Sequence, residues 1–198
     1  MFVTFEGLDG SGKTTQTKLL ADALEGDGRE VVLTREPGGT PLGEQIRELL
    51  LEGGEISPWA EAALFAAARA ELVERVIAPA VERGADVICD RYLDSSLAYQ
   101  GIARGLGVDR VLELNLAAIR GQLPDRTFLL LIDAKESQKR VGDETDRIEG
   151  EDGEFREKVD EAYRLLAQMF PQRIEPVDGT LPPEDISKLI YGQLRQLR

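Results

Sequence analysis

The chain has 198 residues, a net charge of −13, one cysteine and no histidine. Its length fits a single domain, 1–198, with a core of its own, and its acidity speaks against nucleic acid or an anionic membrane as partner. The lack of histidine excludes Ser-His-Asp and Cys-His catalysis and His-ligated zinc, leaving carboxylates, Lys, Arg and a bound cation to do any chemistry.

In chain order, Phe2-Val3-Thr4-Phe5-Glu6 reads as a short strand. Gly7-Leu8-Asp9-Gly10-Ser11-Gly12-Lys13-Thr14 then fits the P-loop pattern G-x-x-x-x-G-K-[ST]. Leu20, Ala23 and Leu24 follow at helical spacing. Strand, glycine loop and helix is the context in which backbone N–H groups and a helix N-terminus cradle phosphates. There Lys13 reaches the outer phosphates and the Thr14 hydroxyl suits Mg²⁺. The whole loop, Gly7 to Thr14, is therefore a candidate ATP site.

Glu25-Gly26-Asp27-Gly28 is a stop and turn. A second strand spans Glu30 to Arg35 and runs into Glu36-Pro37-Gly38-Gly39-Thr40-Pro41, a loop at a strand's carboxyl end, where open α/β sheets bind ligands. Leu42 to Leu51 is helical. Ser57-Pro58 starts a long alanine-rich helix, which Pro79 should kink or interrupt. Asp86-Val87-Ile88-Cys89-Asp90 is a third strand, and its thiol reads as buried and inert. Asp94 and Ser95 are candidate caps for the next helix. Gly105 and Gly107 separate that helix from one beginning near Asp109. Phe128 to Ile132 is an interior parallel strand, followed by a short helix to Arg140. Residues 142–153, glycine-rich and acidic, read as an exposed loop or a short lid. A helix over Glu154 to Met169, a strand over Arg173 to Val177 and a closing helix over Pro182 to Leu197 complete the chain. Strands alternating with helices predict an α/β fold: a doubly wound parallel five-stranded sheet with helices on both faces. No export signal or spanning run is evident, so a cytoplasmic protein is expected.

Three classes of P-loop protein compete. A switch GTPase needs an N-K-x-D loop, yet Leu116 follows the lone Asn115. A motor or transport ATPase normally needs a larger chain. A small-molecule kinase needs a second anionic pocket, and Arg47, Arg69 and Arg91 are candidates to converge on one.

The stretches Phe5-Glu6-Gly7 through Thr15, Thr34-Arg35-Glu36-Pro37-Gly38-Gly39-Thr40, Leu64-Phe65-Ala66-Ala67-Ala68-Arg69, Asp90-Arg91-Tyr92 through Ser95-Ser96-Leu97-Ala98-Tyr99-Gln100-Gly101, and Asp146-Arg147-Ile148-Glu149 resemble the bacterial thymidylate kinase family along essentially the whole chain. The resemblance implies ATP- and Mg²⁺-dependent phosphorylation of dTMP to dTDP by a homodimer, with the helix from Trp59 as a candidate interface. It implies that Phe65 stacks on thymine, that Arg69, Ser96 and Gln100 contact the base, and that Arg47 and Arg91 grip the monophosphate. Asp9 meets the 3′-hydroxyl or the Mg²⁺ shell, supported by Glu36. Pro37 and Ser95 join the monophosphate site, and Tyr99 crowds the 2′ position. Asp90 orients Arg91 or a metal-bound water, and with Thr14 it makes up the metal site. Lys13, Arg91 and Asp9 are the catalytic set. Where Gly10 stands, an arginine would otherwise act; its absence assigns that role to the lid, where Arg147 is the only basic residue, with Lys139 and Arg140 at its base. A kinase for another nucleoside or nucleoside monophosphate, or a nucleotide-binding regulator without turnover, are the alternatives.

Overall fold

In a computed structural model, residues 1–141, 147–148 and 153–196 are described. Most of the lid expected at 142–153 lies outside these residues. Five strands, β1 (Phe2–Glu6), β2 (Val31–Arg35), β3 (Asp86–Asp90), β4 (Arg126–Leu131) and β5 (Ile174–Asp178), form one parallel sheet in the order β2-β3-β1-β4-β5. The expected class is thus the observed one.

Side-chain alternation along each strand divides the core between the two faces of the sheet. Val3, Phe5, Ile88, Phe128 and Leu130 face α1 (Lys13–Gly26) and the closing helix α9 (Pro183–Gln196), meeting Leu20, Leu24, Ile186, Ile190 and Leu194. Phe2, Val87, Cys89 and Leu129 face the opposite layer, which includes Leu97, Val111, Val159 and Leu166. Those residues come from α6 (Val108–Ile119), α8 (Gly153–Met169) and the segment after β3. β1 lies centrally, between β3 and β4, so its P-loop emerges where successive connections diverge to opposite sides. That is the crevice in which open α/β sheets bind ligands.

α2 (Pro41–Glu52) is capped by Thr40, whose hydroxyl accepts from Gly43 N at 2.9 Å. α3 (Pro58–Leu72) continues through π turns at Val73–Ile77 into α4 (Ala78–Glu82). The interruption expected at Pro79 takes this form, a widened register just ahead of a residue with no N–H to donate.

The segment after β3 differs from expectation. α5 (Leu93–Ser96) starts after Tyr92, and neither Asp94 nor Ser95 caps it; both lie inside the helix. Asp94 is buried against Arg173, 2.7 Å from its Nη2, and Ser95 bonds Glu6 and Tyr163. Long-range partners outcompete the local cap here. The chain then widens into π turns at Leu97–Ala103, which carry Tyr99 and Gln100. A short helix, α7 (Ala134–Val141), follows β4.

Candidate active site

The P-loop is held against β4. Gly7 has φ +135°, and a Cβ there would lie 2.4 Å from the Leu130 carbonyl oxygen, so neither conformation nor space admits a side chain. Gly12, at φ 95°, turns the chain into α1, whose first N–H groups have no intrahelical acceptor and so suit an anion. Lys13 is buried and folded back onto the loop: Nζ donates to Gly7 O at 3.1 Å and Leu8 O at 2.8 Å, and lies 3.6 Å from Asp9. Burial and the neighbouring Arg91 charge lower its pKa, against the pull of Asp9 and Asp90.

Arg91 directly follows β3 and sits at φ 67°, a left-handed conformation that costs a non-glycine residue energy and concentrates at functional sites. Its Nη1 donates to Gly7 O at 3.0 Å, Ser95 Oγ at 3.1 Å and Tyr163 Oη at 3.0 Å, and Nη2 meets Asp9. Burial opposes ionisation of Asp9, but Arg91 and Lys13 outweigh it and hold the carboxyl well below the usual range. Beneath this lies Glu6, fully buried. It accepts from Tyr92 N at 2.8 Å, Ser95 N at 3.2 Å and Tyr163 Oη at 3.0 Å. Burial, with Asp94 nearby, pushes its carboxyl up to about 7, against the charge of Arg91.

Two cavities meet here. One, of ≈ 1010 Å³ including its mouth, lies over the P-loop and is lined by Gly10, Gly12, Lys13, Thr14, Asp90 and Arg140 among others. The second, of ≈ 540 Å³ counted the same way, is lined by Phe65, Pro37, Ser95, Ser96, Tyr99 and Gln100, with Leu51 and Ile148. Asp9, Glu36, Arg47 and Arg91 line both. Arg47 is steadied by Pro37 O, 3.0 Å from its Nη1.

Every residue expected at a monophosphate lines the second cavity except Arg69. Arg69 is 1 % exposed and stands behind the wall. Its guanidinium pairs with Glu36 and donates to Ser96 Oγ at 3.0 Å and Tyr92 O at 2.9 Å; Asn115 Oδ1 also accepts from it. In this structure its guanidinium is directed at Ser96 and Glu36, both of which line the cavity, and it does not line the cavity itself. Burial pushes Glu36 up to about 7 while the Arg69 guanidinium pulls it down.

The expected metal residues also come together. Thr14 Oγ1 donates to Asp90 Oδ2 at 2.7 Å, beside Lys13 in the P-loop cavity. Among the described residues no group of three or more acidic, Cys or His side chains gathers as a metal site. One hydroxyl and one carboxylate fit Mg²⁺, which usually takes one or two protein ligands and fills its octahedron with phosphate oxygens and water.

Arg147 departs from expectation. Its N donates to Leu51 O at 3.1 Å, Nε to Leu50 O at 2.7 Å and Nη2 to Glu61 Oε2 at 2.7 Å, so it is spent on the end of α2 and the start of α3. It does not line the P-loop cavity; Arg140 does. Arg140 on α7 donates through Nη1 to Gly10 O at 3.3 Å and Gly179 O at 3.2 Å. A Cβ on Gly10 would lie 2.9 Å from Arg140 Cβ, so α7 crosses the loop closely at that glycine.

Sequence reasoning missed several contributors. Tyr163 lies on the apolar face of α8, where a tyrosine's polar tip is the only signal of a second role. Glu6, ending a strand otherwise free of charge, was legible as a buried carboxylate but not its partners. A further slot of ≈ 700 Å³ including its mouth adjoins the P-loop, lined by Ser11, Gln16, Arg140, Thr180, Pro182 and Pro183. It depends on β5 ending beside α1, which no local pattern announces.

The profile of the family described as thymidylate kinase matches residues 5–190. The thymidylate kinase of Chlorobaculum parvum is 45 % identical over 209 aligned residues, covering 100 % of this chain and 96 % of that protein. That of Pelotomaculum thermopropionicum is 50 % identical, covering 90 % and 85 %. The crystal structure of thymidylate kinase from Ehrlichia chaffeensis superposes with a TM-score of 0.82 at 34 % identity, covering 98 % of both chains. With that breadth of match over two adjoining cavities, one above a P-loop and one walled by Phe65 and Gln100, the chain belongs to the thymidylate kinase family.

Proposed function

We propose that this protein transfers the γ-phosphoryl group of ATP to dTMP, giving dTDP and ADP. The observation that carries the reading is the junction of the two cavities at Asp9, Glu36, Arg47 and Arg91. Two arginines there can meet an acceptor monophosphate beside the loop that holds a triphosphate. A dTMP phosphate oxygen attacks the γ-phosphorus in line, a P–O bond to the acceptor forms, and the bond to the β-phosphate oxygen breaks. Such a reaction needs positioning and charge neutralisation more than covalent chemistry.

Each residue then has a task. The P-loop N–H groups from Gly7 to Thr14 and the Lys13 ammonium hold the phosphates of ATP. Its adenine fits the slot between Arg140, Gln16 and the 180–183 turn. Arg47 and Arg91 hold the dTMP phosphate, Phe65 stacks on the base, and Ser96 and Gln100 take its edge. Tyr99 lies against the sugar. Thr14 and Asp90 would hold Mg²⁺, which supplies charge to the phosphate oxygens. A cytoplasmic homodimer fits this role. Trp59 is 45 % exposed on α3 beside exposed Ala60, Ala63 and Ala67, a face suited to a second copy, and among the described residues no helix is long and apolar enough to cross a membrane.

The test is ADP release measured with Mg²⁺ and ATP against a panel of monophosphates. dTMP should give the highest kcat/KM. A preference for AMP or CMP, or no turnover with any, would sink the assignment.

A further inference from the structure

Glu61 sits in the first turn of α3, outside the lining of either cavity, and its carboxylate is 1 % exposed. A buried carboxylate needs partners, and this one gathers three. Gln100 Nε2 donates to Oε1 at 2.9 Å. Arg104 reaches Oε1 through Nε and Oε2 through Nη2, both at 3.3 Å. Arg147 Nη2 donates to Oε2 at 2.7 Å. Burial alone would raise the Glu61 pKa, but the hydrogen bonds from Gln100 and Arg147 and the charge of Arg104 more than offset it and lower it. The carboxylate is ionised at neutral pH and is therefore an acceptor only.

An acceptor settles which end of the Gln100 amide faces it. Only the nitrogen can donate, so the amide cannot turn over without placing its oxygen against a carboxylate. No described residue donates to its Oε1, and Gln100, itself 1 % exposed, lines the base cavity. What Gln100 offers a base is thus an acceptor. Thymine and uracil carry N3–H, a donor; cytosine carries a bare N3, an acceptor that would oppose the Gln100 oxygen.

We propose that Glu61 is a specificity-determining positioning residue: clamped by Arg104 and Arg147, it fixes the Gln100 amide so that the site selects pyrimidines bearing N3–H over cytosine. It acts through Gln100 and touches no reacting atom. Arg147 thereby gains a role distinct from phosphate binding, because its guanidinium steadies the oxygen of Glu61 opposite the one that orients Gln100. The inference rests on dTMP being the acceptor substrate.

The experiment is steady-state kinetics of the full chain and of Glu61→Gln with dTMP, dUMP and dCMP at saturating ATP. An amide at position 61 can donate or accept, so Gln100 becomes free to turn. In Glu61→Gln the kcat/KM ratio of dTMP to dCMP should fall on the order of tenfold, the scale of one misplaced hydrogen bond. The dTMP to dUMP ratio should stay within about twofold, since both bases carry N3–H, and the KM for ATP should not move. In the background of Gln100→Ala, adding Glu61→Gln should change neither base ratio further, because the residue it acts through is gone. If Glu61→Gln does not fold, Glu61→Asp, which keeps the charge by the arginines but withdraws it from Gln100, carries the same expectation. A wild-type enzyme that prefers dTMP, with all three substrates falling equally in the variant, overturns the proposal and leaves the kinase assignment standing. A wild-type enzyme with no dTMP activity overturns the kinase assignment itself.

Discussion

Arg91 donates to the Tyr163 hydroxyl across 3.0 Å, and the same hydroxyl donates onward to the buried Glu6 at 3.0 Å. A loop arginine at the phosphate junction is thereby tied to α8 and to the end of β1. The guanidinium is fixed before any ligand arrives, and preorganised charge of this kind is what phosphoryl transfer draws on.

Tyr163→Phe should loosen Arg91 without removing it. A hydrogen bond from a charged group is worth about 1.5–3 kcal/mol, and Arg91 keeps its partners at Gly7, Ser95 and Asp9, so the KM for dTMP should rise on the order of tenfold while the KM for ATP stays put. Initial-rate measurements varying each substrate in turn check this. An unchanged KM for dTMP would mean that the Tyr163 hydroxyl does not hold Arg91.

Glu6 makes stability depend on pH. Its folded pKa, pushed up to about 7, lies above the ordinary carboxylate value of 4.5, so the folded state binds more protons than the unfolded state between those values. Stability therefore falls as pH rises from about 4.5 to 7, by up to about 3 kcal/mol from this group. Glu6→Gln mimics the protonated form, since its nitrogen can donate to the Ser95 and Tyr163 hydroxyls. Denaturant titrations at pH 5 and pH 7.5 should show a smaller loss across that range in the variant than in the parent. Equal pH slopes in the two proteins would contradict the assignment to Glu6.

Much of this was legible locally. The eight residues from Gly7 to Thr14 announce an anion site because strand, glycines and helix must follow one another in sequence to make it. The sheet could be read because apolar runs such as Phe128 to Leu131 admit few alternatives. Arg69 shows where local reading stops. Phe65 and Arg69 are four apart on α3, which suggests that both reach one ligand, but four bonding partners from distant segments claim the guanidinium. Arg147 is marked in the sequence only by its charge and by the family-like stretch around it. Its three ties to Leu50, Leu51 and Glu61 are long-range contacts with no sequence spacing to reveal them. Asp94 and Ser95, candidate caps by sequence, turn inward for the same reason.

Arg69→Ala should accordingly act on the fold as well as on binding. Removing one partner of a buried ion pair leaves Glu36 uncompensated and costs about 3–5 kcal/mol. For a chain of this size that lowers Tm by roughly ten degrees, readable by calorimetry. The KM for dTMP should rise with it through the displaced Ser96 and Glu36. A Tm within a degree or two of the parent would show that Arg69 is not needed to pair Glu36.

Lys13→Ala should reduce turnover on the order of a hundred- to a thousandfold, the scale of losing one preorganised transition-state group. The ammonium is buried on two loop carbonyls rather than free in solvent, so some loss of stability should accompany it. Circular dichroism should nonetheless report a folded protein. Near-normal turnover would remove Lys13 from the phosphate site.

The cation that meets the transferring group is the last question, and the geometry divides it between Arg140 and Arg147. Gly10 can supply no charge. Arg140 lines the P-loop cavity and is held by the Gly10 and Gly179 carbonyls, two weak and neutral partners at 3.3 and 3.2 Å, together with Glu136 at 2.8 Å. A guanidinium so held, one third exposed, can turn onto phosphate oxygens at little cost. Arg147 would have to leave a short bond to a buried carboxylate and two to backbone carbonyls, and Glu61 would be left less well paired. A charge that acts in the transition state lowers kcat rather than raising KM. Arg140→Ala should therefore lower kcat on the order of a hundredfold with the KM for dTMP little changed. Arg147→Ala should instead raise the KM for dTMP several-fold through Glu61 and Gln100, with a smaller effect on kcat. The two variants, assayed side by side with both substrates varied, separate these roles. A large kcat defect in Arg147→Ala alone would return the catalytic charge to the segment that precedes α8.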